Sequence, residues 1–142
     1  MNGTVLALFI ADPHQPGRTE TASLQLAEEG IFGDKFFGKS PERSILIASK
    51  SSYDMAEDAE IDIAYGELGE NIVVDIHLYH LRAGDRIAIG ECMLEITQNC
   101  TLCKSLTKVD KRLPKLLRDD RGIFAKTVKP GIINKGDEVK IL

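Results

Sequence analysis

The chain has 142 residues and a mass of 15.6 kDa, the size of one domain and long enough to bury most of the surface its unfolded form exposes. With 43% hydrophobic and 28% charged residues, its composition excludes a disordered or fibrous chain, and no apolar run approaches the ~20 residues of a membrane-spanning helix. The net charge of −4 is uneven: residues 1–99 carry 7 Lys and Arg against 17 Asp and Glu, whereas residues 100–142 carry 11 against 5.

In chain order, Thr4–Ala11 is an apolar, branched run closed by Asp12-Pro13 and predicts a strand. Ser23–Ala27 adds a short one, with Leu24 and Leu26 alternating with polar neighbours, and Arg43–Ser49 another. Ser51–Ala59, with serines at its start, predicts a helix. Strands follow at Glu70–Asp75, Arg86–Ile89 and Cys92–Gln98, the last two joined across Gly90-Glu91 as a hairpin. Leu113, Leu116 and Leu117 predict a helix over Asp110–Asp120, with Pro114 tolerable only in its first turn. Strands at Gly122–Val128 and Glu138–Leu142 finish the chain. Gly-Asp recurs at Gly33-Asp34, Gly84-Asp85 and Gly136-Asp137, as turns needing positive φ do. Many short strands, glycine-rich turns and a few short helices predict a mainly β fold, a barrel, occupying residues 1–142 as a single domain.

The N-terminus has neither the basic flank nor the cleavage site of a signal peptide. Three cysteines is an odd number, so reduced thiols and a cytoplasmic location are expected. The basic final third points to an anionic partner. Its cations are interleaved with acids and the chain has no Trp. A small anionic ligand therefore fits at least as well as nucleic acid.

Cys100-Thr-Leu-Cys103 is the main candidate for chemistry. As a zinc half-site it needs two more ligands, and His77 and His80 supply them only from a loop, since residues three apart on a strand face opposite ways. As a thioredoxin-like dithiol it falls too late in the chain and outside a βαβ pattern. As a single reactive thiolate it is served by Lys104, Lys108, Lys111, Arg112, Arg121 and Lys126, whose charges favour the ionised thiol. The plain alternative is that Cys100 and Cys103 are small buried hydrophobes, which is the expected state of Cys92. His14 sits in a Pro- and Gly-rich loop and reads as solvated. No nucleophile elbow, P-loop or His-Glu-x-x-His is present.

Five motifs in order then resemble one family. Gly30-Ile-Phe-Gly33-Asp34-Lys35 with Arg43-Ser-Ile-Leu-Ile is similar to the N-terminal signature of MOSC domains, the domains at the C-terminus of molybdenum cofactor sulfurases. Gly66-Glu-Leu-Gly-Glu70-Asn71-Ile, Leu81-Arg-Ala-Gly84-Asp85, and Gly122-Ile-Phe-Ala with Gly131-Ile-Ile-Asn-Lys-Gly136-Asp137 resemble later segments. Thr97-Gln-Asn-Cys100-Thr-Leu-Cys103 puts Cys103 at the family cysteine, with Asn99 and Leu102 where many members have prolines. A second cysteine three residues earlier resembles the members related to amidoxime-reducing enzymes.

The resemblance implies a MOSC-like β-barrel with a few short helices and Cys103 at the mouth of a pocket. It further implies that the ligand is the molybdenum cofactor (molybdopterin), an anionic pterin ending in a phosphate. Cys103 is then the catalytic thiol, either a sulfur carrier held as a persulfide or the molybdenum ligand of a reductase of N-hydroxylated compounds, with Cys100 as a resolving thiol. Lys35, Arg43, Asn71, Lys104 and Arg121, in or beside the matched motifs, are the expected cofactor-binding residues. The chain is too short for a pyridoxal-phosphate (PLP) domain beside the barrel, so the sulfur or electrons are expected from a partner, a cysteine desulfurase or an electron-transfer protein. Neither membrane nor nucleic acid is expected among its partners. A non-catalytic cofactor-binding module is the other reading.

Overall fold

The computed structural model describes residues 2–101 and 104–142, with side chains in the second stretch from Leu106 onward. The elements are β1 (Asn2–Ile10), β2 (Thr19–Thr21), β3 (Ser23–Ala27), β4 (Gly30–Ile31), β5 (Ile45–Ser49), α1 (Lys50–Asp58), β6 (Ile72–Val74), β7 (Arg86–Ile89), β8 (Cys92–Asn99), α2 (Lys104–Val109), α3 (Leu113–Leu116), β9 (Ile123–Lys129), β10 (Gly131–Asn134) and β11 (Glu138–Ile141). The strand order β11-β7-β8-β9-β5-β6-β1 closes because β1 also pairs with β11, with β2 added outside β1. The result is a seven-stranded barrel, mainly β as expected.

Strand β1 is long enough to serve three neighbours. Its first half pairs with β11 and its second with β2, while β6 runs along the other edge through a bulge between Val5 and Ala7. All pairings in the barrel are antiparallel except β5–β6. A parallel pair needs a crossover, and α1 supplies it. A small sheet, β10-β3-β4, sends Leu24, Leu26, Ile31 and Ile133 into the barrel core.

Strand β5 explains where the site lies. All five of its residues are buried, which requires cover on both faces. Ile45 and Ile47 enter the barrel interior with Val5, Leu94 and Ile123. On the outer face Ala48 packs with Tyr53, Ala56, Leu113 and Leu117 beneath the helices. Leu46, on that same outer face, instead joins Cys100 and Phe124. The helices thus cover one part of the barrel wall, and the neighbouring part is the floor of a cavity.

Most strands match their sequence signals within one or two residues, and Gly33, Gly84 and Gly136 take φ of 85°, 96° and 91°. The expected helix over Asp110–Asp120 is reduced to α3. Asp110 instead turns its carboxylate back onto the Arg112 N–H at 2.8 Å, and Leu113 and Leu117 are the residues that reach the core. Ser49 precedes α1 without capping it, because its hydroxyl accepts the Leu78 N–H at 3.0 Å. Helix α2 and strands β2, β4 and β10 were not among the expected elements.

Candidate functional site

Leu46 of β5, Phe124 of β9 and Cys100 at the end of β8 line a cavity of about 740 Å³ on the outside of the barrel. Arg18, Lys35, Lys39, Arg43 and Arg121 also line it, against one acid, Glu67. Aromatic faces hold several of these cations in place: Arg43 lies 5.2 Å from the Phe124 ring centre, and Lys35 and Arg18 lie 5.1 and 5.8 Å from that of Phe36.

Asp34 organises the wall. Its carboxylate is 4% exposed as a residue and accepts the N–H groups of Ala11 at 2.7 Å and Phe36 at 3.0 Å. It also accepts the Asn71 amide at 3.3 Å and pairs with Arg18 at 3.7 Å. The turn that resembled a family signature therefore ties β1, the Phe36 loop and Arg18 together. Asn71 completes this frame: its amide oxygen accepts the Leu46 N–H and its nitrogen donates to the Phe9 carbonyl.

Behind the cavity lies a second buried carboxylate. Glu70 accepts a short hydrogen bond from the Tyr53 hydroxyl, which in turn accepts the Gly66 N–H at 3.1 Å. Burial pushes the Glu70 carboxyl up from the usual carboxylate range, opposed by the Tyr53 hydrogen bond, then by the backbone N–H groups of Glu70 and Gly66, and least by the Arg18 charge. Burial likewise lowers the pKa of the Arg18 guanidinium, and Asp34 and Glu70 counteract that shift. Arg121 is 6% exposed and donates to the Leu68 carbonyl at 3.1 Å.

Of the residues singled out from the sequence, Lys35, Arg43, Asn71, Cys100 and Arg121 line this one cavity. Cys103 and the side chain of Lys104 lie outside the described residues. Cys100 is 3% exposed, and its N–H donates to the Gly122 carbonyl at 3.0 Å. Cys92 lies in the barrel core, its thiol pushed up to about 11 by burial and then by Glu91 and Asp137, as befits an inert thiol. His77 and His80 stack in the loop after β6, and among the described residues no three His, Cys, Asp or Glu side chains converge as a metal site.

Sequence reasoning missed Arg18, Lys39 and Tyr53, and it quoted Asp34 and Glu70 without giving either a role. Asp34 and Glu70 each sit beside a residue that was chosen, so the motifs carried a signal for them. Arg18, in a Pro-Gly-Arg loop, carried none. Among the described residues, four of the five cavity cations come from residues 1–99 and one, Arg121, from the basic final third.

The family described as MOSC domain matches residues 34–140. Among solved structures, the YuaD protein of Bacillus subtilis superposes with a TM-score of 0.85 at 22% identity, covering 98% of this chain and 94% of that one. YiiM of Geobacillus stearothermophilus gives 0.79 at 14% identity, covering 99% and 75%. YiiM of Escherichia coli gives 0.72 at 18%, covering 100% and 70%. At these identities the likeness is one of fold. No curated protein matches the sequence. Among the described residues no helix is long and apolar enough to cross a membrane.

Proposed function

The chain belongs to the MOSC domain family, a family associated with the molybdenum cofactor, and on that premise we propose that it binds the cofactor in the cationic cavity and acts through the Cys103 thiolate. The supporting observation is that Lys35 and Arg43, from the N-terminal signature, and Arg121, far along the chain just before β9, line one cavity with Cys100, three positions before Cys103.

The residues fit the group. A pterin ending in a phosphate asks for aromatic faces and for cationic donors, and the cavity offers Phe36 and Phe124 beside Arg18, Arg43 and Arg121. Bound there, the cofactor supplies a thiophilic metal centre. The arginines bind and orient the phosphate, the two phenylalanine rings limit water, and Lys104 beside Cys103 in sequence favours the thiolate. As a sulfur carrier, Cys103 attacks the outer sulfur of a donor's persulfide. Its own persulfide forms, the donor S–S bond breaks, and the donor leaves as a thiolate, so no external oxidant is needed. That donor is a partner protein, a cysteine desulfurase.

The burial of Cys100 favours a second reading in which Cys103 acts alone, as a metal ligand. In that reading the protein reduces N-hydroxylated compounds with electrons from a partner, and no resolving thiol is required.

Molybdenum, pterin and sulfane sulfur measured in purified wild type, Cys103→Ser and Cys92→Ser test the proposal. Cys103→Ser is expected to lose the bound metal or the sulfane sulfur while keeping its fold, and Cys92→Ser to match wild type. Identical contents in the two variants would contradict the role of Cys103.

A further inference from the structure

Two guanidinium groups close on a single glycine. A Cβ at Gly69 would stand 3.6 Å from Nη2 of Arg121 and 4.0 Å from Nη2 of Arg18, and the residue has φ of 84°. Only the missing side chain leaves this notch open, and the left-handed backbone there favours glycine. The next residue, Glu70, is fully buried: one carboxylate oxygen takes the Tyr53 hydroxyl, and the other, Oε1, has no hydrogen-bond partner among the described residues. An unsatisfied buried acceptor is costly, so one kept in a native fold calls for an explanation.

The charged and titratable groups around Glu70 come from separate elements. Tyr53 faces it from α1, Tyr79 from the loop after β6, and Arg18, itself paired with Asp34, from the loop before β2. Arg121, just before β9, acts on Arg18. Asp34 is committed to three N–H donors besides Arg18. Tyr53 and Tyr79 are both held protonated well above neutral pH by burial, Tyr79 pushed up to about 12. Glu70, whose carboxyl burial raises above the usual carboxylate range, is therefore the member of this group left to change charge, and Oε1 is the atom open to the proton.

Resting on the anion-binding reading above, we propose that Glu70 is a positioning residue whose charge alternates with that of the ligand. With the notch empty, the ionised carboxylate balances Arg18. When an anion of the phosphate class enters between Arg18 and Arg121, Glu70 takes one proton from solvent onto Oε1, and both arginines turn their charge to the ligand. Anion binding and proton uptake are thereby linked, and affinity falls as pH rises through the range in which the empty protein loses this proton, by at most ~10-fold per pH unit.

Inorganic sulfate is a suitable probe, because it stays a dianion through the neutral range and contributes no proton of its own. Calorimetric titration of the intact protein in buffers of different ionisation enthalpy is expected to show proton uptake with wild type. Glu70→Gln should bind sulfate with no uptake and no pH dependence. Should that variant fail to fold, Tyr53→Phe retains the carboxylate but removes the hydrogen bond that opposes the effect of burial. Its affinity-against-pH curve should then move to higher pH, which a purely structural role would not produce. Sulfate binding to wild type without proton uptake, or uptake unchanged in Glu70→Gln, would overturn the role of Glu70 and leave the anion cavity standing. Failure of wild type to bind sulfate at all would overturn both.

Discussion

Two cavities share the wall formed by Tyr65, and they are opposite in sign and in construction. The cationic one is built on the barrel wall, with Arg18, Asp34, Glu70 and Arg121 largely removed from water and linked to one another or to the backbone. The other, about 600 Å³, lies along α1 and the loop that follows, where Asp54, Glu57, Glu60 and Asp62 face a single lysine, Lys50. Its ion pair, Lys50–Asp54 at 2.8 Å, is about half exposed on both sides. Charges of that kind are screened and hold little in place, whereas buried charges each depend on a specific partner. A net charge of −4 therefore says nothing about the sign of the site.

The comparison predicts its largest contrast in stability. Asp34→Ala leaves two backbone N–H groups, the Asn71 amide and Arg18 without their acceptor in a buried place, and should cost about 3–5 kcal/mol in chemical denaturation. Asp54→Ala, in the other cavity, should leave the denaturation midpoint where it was. Equal losses would mean that Asp34 is not the frame of the wall.

Ligand affinity gives the next contrast. Arg18→Ala should lower the affinity for a phosphate monoester by about 10- to 100-fold, the value of a charge-assisted hydrogen bond, and Gly69→Ala should do the same by filling the notch. Glu57→Gln in the acidic groove should leave that affinity unchanged. Fluorescence or calorimetric titration of the three variants separates a built site from a general attraction of charge.

Glu70 sharpens the comparison through pH. Its folded pKa is raised above 4.5 by burial, so the folded state binds more protons than the unfolded one between those two values. Stability from this group is complete below about 4.5 and is lost as pH rises toward the folded pKa. Glu70→Gln should therefore flatten the fall in stability over that window. A wild-type slope retained in the variant would assign it to another group.

The smallest effect is expected at Cys100. Replacing this buried thiol with Cys100→Ser places a hydroxyl beside Leu46 and Phe124 and should cost about 1–2 kcal/mol. Single-turnover sulfur transfer should be unaltered if Cys103 attacks the donor. Slowing confined to multiple turnovers would make Cys100 a resolving thiol after all.

The fold was legible wherever one strand carried its own signal. Alternation revealed β3, and the apolar run Ile45-Leu46-Ile47 marked β5 as a strand. Elements that exist through pairing were not legible. Thr19–Thr21 is polar and becomes a strand only against Leu8–Ile10, and Gly30–Ile31 only against Leu26 and Ala27. Lys35, Arg43 and Arg121 were found because motifs surround them. Arg18 reaches the same cavity through an ion pair across sixteen positions to Asp34, and no local pattern encodes such a pair. Of the basic run after Cys103, Arg121 lines the cavity, whereas Arg112 and Lys126 spend their charge on Asp110 and Glu95 at the surface.

The central claim is that the cationic cavity, and not the acidic groove beside it, holds a phosphate-bearing pterin. Equilibrium binding of isolated molybdopterin, followed by pterin fluorescence, tests it most directly when wild type is set beside the Arg18→Ala, Arg121→Ala double variant and the Asp54→Asn, Glu57→Gln double variant. The account predicts saturable binding to wild type, binding weakened at least ~10-fold in the arginine variant, and binding as in wild type in the acidic-groove variant. Retention of full affinity by a folded arginine variant would contradict it.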